Sequence, residues 1–354
     1  MKKMLALALV ATVVFGCKKD DPTPNPPAGA IQGAGVLVAN EGAFTGGSGT
    51  VSFYKHAEKT ISNDVFMDVN GVPAGNLLQS MYHFGGKVYM VLNGANKVLV
   101  TNESTMQQEA EITGFDSPRY MLAVSATKAY VTNWGSSDVS IVDLSSNTIT
   151  GSIPCGSGPE KMAFDGKNLY VANSGGLGTD STVVIVDITT DQVTGTLATG
   201  YNPNSLAIDA NGGLWVMCAG ISDWNNPAND VAGKLMKFDL SSGNAVELDL
   251  DFPTTADHPA DLTIDGGGEN IYWLSNDYFG SVFTMSRTAS TLPTMAQVPG
   301  GFYGLGIDPS SGEIYTADPK DYQRDGVIYR YEANGTLVDS ATAGLIPSSF
   351  VFKN

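Results

Sequence analysis

The chain has 354 residues, 42% of them hydrophobic and only 16% charged, and 19 Lys and Arg against 36 Asp and Glu leave it at −17. A charge of that sign repels a phosphate backbone and argues against nucleic acid as a partner. Gly, Ser, Thr, Asn and Asp are abundant, and past the N-terminus no run of about twelve residues repeats apolar side chains every 3.6 positions, so the expected class is all-β and rich in turns.

Residues 1–16 carry Lys2 and Lys3 and then an apolar run from Met4 to Phe15. The run is too short to span a bilayer and has the length of a signal-peptide core. It stops at Val14-Phe15-Gly16-Cys17. Here the chain resembles bacterial lipoproteins, in which a small residue precedes the Cys that is lipidated and becomes the first residue. The resemblance implies a lipid on Cys17 and contact with a membrane through that anchor only. Lys18-Lys19-Asp20-Asp21 resembles the export signal of surface-exposed Bacteroidetes lipoproteins, which implies an outer-membrane protein facing outward. Residues 22–30 (PTPNPPAGA) are Pro-rich and read as an extended tether. The expected organisation is a signal peptide at 1–16, lipidated Cys and tether at 17–33, and one folded domain at 34–354.

The folded domain is repetitive. The segment Tyr130-Val131-Thr132-Asn133-Trp134 has counterparts in VANEG at 38–42, VLNGAN at 91–96, YVANSGG at 170–176, WVMCAG at 215–220, YWLSND at 272–277 and YTADP at 315–319. The apolar strands that open the units are centred on Met81, Met121, Met162, Leu206, Leu262, Leu305 and Phe350, at spacings of 40, 41, 44, 56, 43 and 45 residues. That is the period of a propeller blade. Two further strands complete a unit, joined by turns such as Asp143-Leu144-Ser145-Ser146-Asn147, whose residue types cap themselves or accept positive φ. The first unit, 36–66, lacks an opening strand, and residues 348–354 read as an opening strand with nothing after it. The two ends complement each other. The expected fold is a seven-bladed β-propeller of four-stranded blades, closed by the C-terminal strand completing blade one.

Residues 130–133 spell YVTN, and the run from 130 to 176 resembles YncE-like, YVTN-repeat seven-bladed propellers. The resemblance covers about 36–354 and implies fold more than function. Together with the lipoprotein address it resembles the BtuG-type lipoproteins of gut Bacteroidetes. That implies capture of cobalamin (vitamin B12) or a related corrinoid as bound ligand and its delivery to a TonB-dependent outer-membrane transporter. A glycan-binding propeller and a protein-interaction or adhesin module stay open as alternatives.

Propeller strands run alternately between the faces of the disc, so loops before opening strands and loops after second strands share one face. The first group supplies Gln79, Arg119, Tyr120, Glu160, Lys161, Asn204, Asp261 and Tyr303, expected around the mouth of the central channel. The second supplies Glu41, Phe44, Asn96, Asn133, Trp134, Asn173, Trp224, Asn276, Tyr278, Phe279 and Tyr322. All but Glu160, Lys161 and Asp261 are candidate ligand contacts, because amides and aromatic planes on a rigid face suit a neutral ligand rich in hydrogen bonds. Asn at a strand end also caps its own loop, so the repeated Asn carries two readings. The mid-strand aromatics Tyr89, Tyr130, Tyr170, Trp215, Tyr272 and Tyr315 are expected to pack between blades. The long fifth repeat carries its excess at 219–232 and 251–258 and should raise one wall beside the mouth.

Only three His are present, His56, His83 and His258, in different repeats. No nucleophile elbow, paired-His metal motif, phosphate loop or calcium-loop spacing appears. The sequence therefore points to a binding protein without catalytic cofactor or metal, not to an enzyme. Cys155 and Cys218 are expected to be free thiols.

Overall fold

A computed structural model of the chain describes residues 31–276 and 278–353. The signal peptide, Cys17 and nearly all of the tether expected from the sequence lie outside the described residues. Seven four-stranded antiparallel sheets form, each ordered opening, second, third, fourth strand. Each opening strand touches the next one round the ring, and the last of them, Pro347–Lys353, touches the first, Leu78–Phe84. The molecule is a closed seven-bladed propeller with the opening strands at its axis.

Position within a blade explains the sequence pattern. A second strand has neighbouring blades on both of its faces, so Gly35–Asn40 is buried at every residue and Lys128–Asn133 at all but the first. Such strands read as continuous apolar runs. Fourth strands lie at the rim. Thr148–Pro154 and Ala245–Asp251 accordingly keep most of their side chains exposed or half-exposed. Among the described residues seven apolar clusters fill the boundaries between blades. The boundary of blades three and four, for example, holds Tyr130, Val139 and Ile153 against Met162, Leu169 and Val171. All six mid-strand aromatics are buried there. Burying one such side chain contributes about 1.5–3 kcal/mol, and the repeat supplies one in each of blades two to seven, with Leu37 in its place in blade one.

Closure follows the pairing expected from the ends. Val36 faces Phe352, Leu37 faces Val351 and Val38 faces Phe350 in an antiparallel ladder. Lys353 Nζ also donates to the Ile31 carbonyl at 2.7 Å, which pins the two ends together. One element was not foreseen. Blade one has an outer strand of only three residues, Thr60–Ser62, followed by the short helix Val65–Asn70. The helix sets Val65 and Phe66 into the core between blades one and two, which the short outer strand does not reach. Turns behave as their chemistry demands. Asp143 Oδ1 accepts from the Ser145 and Ser146 amides, and Asp187 Oδ1 does the same for Thr189 and Thr190.

The motif tyrosine does more than fill space. Tyr130 OH donates to Asp191 Oδ1 of the next blade at 2.5 Å, and Lys128 Nζ reaches the same carboxylate. Tyr54 OH, on the third strand of blade one, donates in the opposite direction round the ring, to Asp339 of blade seven at 2.7 Å. Hydrogen bonds to a charged group contribute about 1.5–3 kcal/mol. Replacing Tyr130 by Phe should therefore lower the urea unfolding free energy by roughly that amount with the fold unchanged, as read by far-UV circular dichroism. An unchanged midpoint would mean that the hydroxyl is merely tolerated between the blades.

Candidate functional site

The mouth of the channel is built by irregularities in the opening strands. The ladder shifts register between Leu78 and Ser80, Pro118 and Met121, Pro159 and Met162, Pro203 and Ser205, and Ala260 and Thr263. A bulge leaves its extra residue out of the ladder and re-aims its side chain. Pro suits the first strand position because no amide is needed there. The residues freed in this way are Gln79, Arg119 and Tyr120, Glu160 and Lys161, Asn204 and Asp261. Asp261 takes φ +55°, a left-handed conformation uncommon outside Gly, Asn and Asp.

These side chains bond to one another across blades. Arg119 Nε lies 3.2 and 3.1 Å from the two Glu160 oxygens and Nη2 lies 2.7 Å from Oε1, while Nη1 donates to Gln79. The guanidinium sits 4.0 Å over the Trp134 ring, whose N–H donates to Glu160. Lys161 reaches past blade five to Asp261 of blade six at 2.5 Å, and its ammonium stands 5.6 Å over the Tyr120 ring. Burial alone would lower the pKa of Arg119, but the Glu160 carboxylate more than reverses it; Asp261 does the same for Lys161. Both cations stay charged. Burial also pushes the Tyr120 hydroxyl up to about 12. Glu41 differs, because burial outweighs the Arg119 charge and the hydrogen bond from Tyr303, and its carboxyl is raised to about 7. Tyr303 OH lies 3.1 and 3.3 Å from the Glu41 oxygens.

The other half of the mouth is aromatic. The Tyr303 and Tyr322 rings meet edge to face with centroids 5.7 Å apart, Tyr322 meets Phe279 at 5.8 Å, and Trp224 meets Tyr278 at 6.1 Å. Tyr322 OH donates to the Tyr278 carbonyl at 3.1 Å. The arc thus runs from Glu41 through blades seven and six to the blade-five wall. Trp224 is 81% exposed and Phe279 55%, which a monomer's surface rarely offers side by side. The wall is made where the repeat length placed it. An Ile221–Val231 bridge and the turn Pro227–Asn229 shape the first insertion, and His258 Nδ1 bonds to the Ala219 carbonyl to tie the second insertion to it. A cleft of about 540 Å³ opens there, lined by Ser222, Trp224, His258, Asn276, Tyr278 and Phe279.

Of the residues singled out in the sequence, Gln79, Arg119, Tyr120 and Trp134 meet in the charged half, and Glu41, Trp224, Tyr278, Phe279, Tyr303 and Tyr322 in the aromatic half. Asn276 lines the cleft, its Oδ1 accepting from the Tyr278 amide. Asn204 sits at the mouth but uses both ends of its amide, on the Pro259 carbonyl and the Ser205 hydroxyl. Asn96 is exposed and caps the Ser117 amide. Phe44 is 79% exposed on the blade-one loop. The expectation for Asn133 and Asn173 needs correction: both are buried within their own blades. Asn133 donates to Asp138 and Ser140 and accepts from the Asp116 amide, and Asn173 donates to Thr182. Sequence reasoning missed Ser222 and His258 as lining residues, and it missed Leu177 and Tyr201, both exposed. The length of the fifth repeat was the one available signal for the first two. Among the described residues no group of three or more His, Cys, Asp or Glu could hold a metal ion, and Cys155 and Cys218 are free.

Ring closure, blade composition and the one-sided mouth define a seven-bladed β-propeller whose distinguishing features lie on one face. The chain belongs to the DUF5074 family, a domain of unknown function, whose family model matches residues 34–353. No curated protein sequence matches it. It is similar in structure to a quinonprotein alcohol dehydrogenase-like protein of Bacteroides thetaiotaomicron, with 14% identity and a TM-score of 0.66 over 90% of this chain and 78% of that one. It is also similar to a Bacteroides fragilis protein provisionally named a 6-phosphogluconolactonase, with 12% identity and a TM-score of 0.67 over 94% and 100%. The computationally designed Ika8 protein gives 12% identity and a TM-score of 0.59 over 90% and 91%. Likeness at these identities shows the fold alone.

The raised Glu41 carboxyl has a testable sign. Its folded pKa of about 7 stands above the ordinary 4.5, so the folded state holds a proton that the unfolded chain releases between those values. Its contribution to stability is full below pH 4.5 and is lost as pH rises through 7. Urea midpoints at pH 5 and pH 8 should fall further in the wild type than in Glu41→Gln. Equal falls would mean that Glu41 titrates as an ordinary carboxylate.

Proposed function

We propose that this propeller is a capture protein for cobalamin or a related corrinoid, held at the outer surface of the outer membrane by a lipid on Cys17, and that it passes its ligand to a TonB-dependent transporter. The observation that carries the reading is the pairing, on one face, of an exposed aromatic arc with a polar, ion-paired mouth. A corrinoid has the matching division: a broad flat ring for aromatic side chains, and a rim of amides that exchange hydrogen bonds with carboxylate, hydroxyl and amide groups. The cleft of about 540 Å³ is of the size that takes a substantial part of such a molecule. The mouth is preorganised by its own bonds, so little ordering is left to be done on binding. The remaining support is resemblance: the lipoprotein-like N-terminus and the YVTN repeat.

Calorimetry and tryptophan fluorescence with cyanocobalamin test this. The wild type should bind at micromolar concentration or below, and Trp224→Ala and Tyr278→Ala should each weaken binding by about tenfold or more, equivalent to about 1.4 kcal/mol. No heat and no quenching at micromolar ligand would rule out the corrinoid, and binding on a glycan array instead would assign the arc to sugar stacking.

A further inference from the structure

We infer that His258 is the polar anchor of the blade-five cleft, a fixed hydrogen-bond acceptor that selects a flat ligand carrying an N–H or O–H donor at its edge. The inference deepens the proposed function and rests on it only for the identity of the natural ligand.

His258 is 9% exposed and lines the cleft. Its Nδ1 lies 2.9 Å from the Ala219 carbonyl oxygen. A carbonyl only accepts, so Nδ1 must carry the proton, and in the neutral ring Nε2 is then left with its lone pair. Among the described residues no protein group bonds to Nε2. Nor is Nε2 among the buried polar atoms that are sealed from solvent without a partner. The small exposed part of this residue therefore includes an acceptor whose direction is set by the bond on the other side of the ring. Around it stand Trp224, Tyr278 and Phe279, which hold a planar group without fixing its rotation. One directed acceptor among apolar walls fixes that rotation. It also rejects an isostere without the donor, because the imidazole lone pair then loses water and gains nothing. On a corrinoid the donors are the side-chain amides at the ring edge.

Two substitutions separate this role from the tie to Ala219. Asn reproduces the Nδ1 donor and has no atom at Nε2, whereas Gln can place an amide oxygen near Nε2. His258→Asn should melt within a few degrees of the wild type and His258→Gln should retain most of the binding. The probes are phenol and anisole, flat aromatics of which the second has its oxygen methylated and so lacks the O–H, with affinities read by NMR titration. The wild type should favour phenol by at least severalfold, and His258→Asn should favour neither. Cyanocobalamin should bind His258→Asn about tenfold more weakly than the wild type. No preference for phenol in the wild type, or a preference that survives in a folded His258→Asn, overturns the inference. If phenol discrimination behaves as expected while the wild type ignores cyanocobalamin, the corrinoid reading fails and the role of His258 stands.

Discussion

The mouth depends on one constraint: seven opening strands must stay arranged about a single axis. The ladder between Pro347–Lys353 and Gly35–Asn40 enforces it by joining the last strand of the chain to the first blade. Without closure each end would leave an unpaired edge, and the opening strands would be free to splay. With closure, residues far apart in sequence are brought within bonding distance over the axis. Lys161 and Asp261 are a hundred residues apart and two blades removed, yet they pair. Removing one partner of such a largely buried pair costs about 3–5 kcal/mol, mostly because the other charge is stranded. The ring and its mouth are thus mutually dependent, and the ion pairs serve to set geometry more than to add net stability.

Much of this could be read from the residues. The apolar second strands, the Asx turns and the complementary ends determined the blades, whereas the bulges at the starts of the opening strands appeared only in the structure. What the sequence could not resolve was the fate of the recurring Asn. Asn133 lies three residues after Tyr130 and Asn276 four after Tyr272, and the first is buried while the second lines the cleft. In blade three the strand continues to Asn133 and delivers its amide to Asp138 and Ser140. In blade six the strand stops at Leu274, one motif position earlier, and Asn276, two residues beyond it, falls in the loop. A repeat fixes spacing along the chain but not where pairing ends. His258 was illegible for a different reason: its meaning comes from Ala219, 39 residues away, and from aromatics on the next blade. The helix Val65–Asn70 was missed because six residues are too few to show a period.

Function in such a ring is carried by departures from the repeat. Blades two to four contribute ion pairs and a stacked Arg–Trp couple, which are rigid and nearly self-satisfied. Blades five to seven contribute the long insertions and exposed rings. Pseudo-symmetry supplies a frame, and its loss on one side makes the two halves of the mouth chemically distinct.

The bond from Lys353 to the Ile31 carbonyl has a consequence for orientation. Gly35 pairs with Lys353 at the end of blade one that lies opposite the mouth. Ile31, the first described residue, is therefore fastened at the back of the disc beside Lys353. On the lipid anchor proposed above, attachment at that point would present the mouth toward the bulk medium. Docking onto a neighbour in the same surface would then require either a rolled-over disc or contact through its rim. That is a steric condition on any hand-over of ligand, and it is set by where the two chain ends are fastened together.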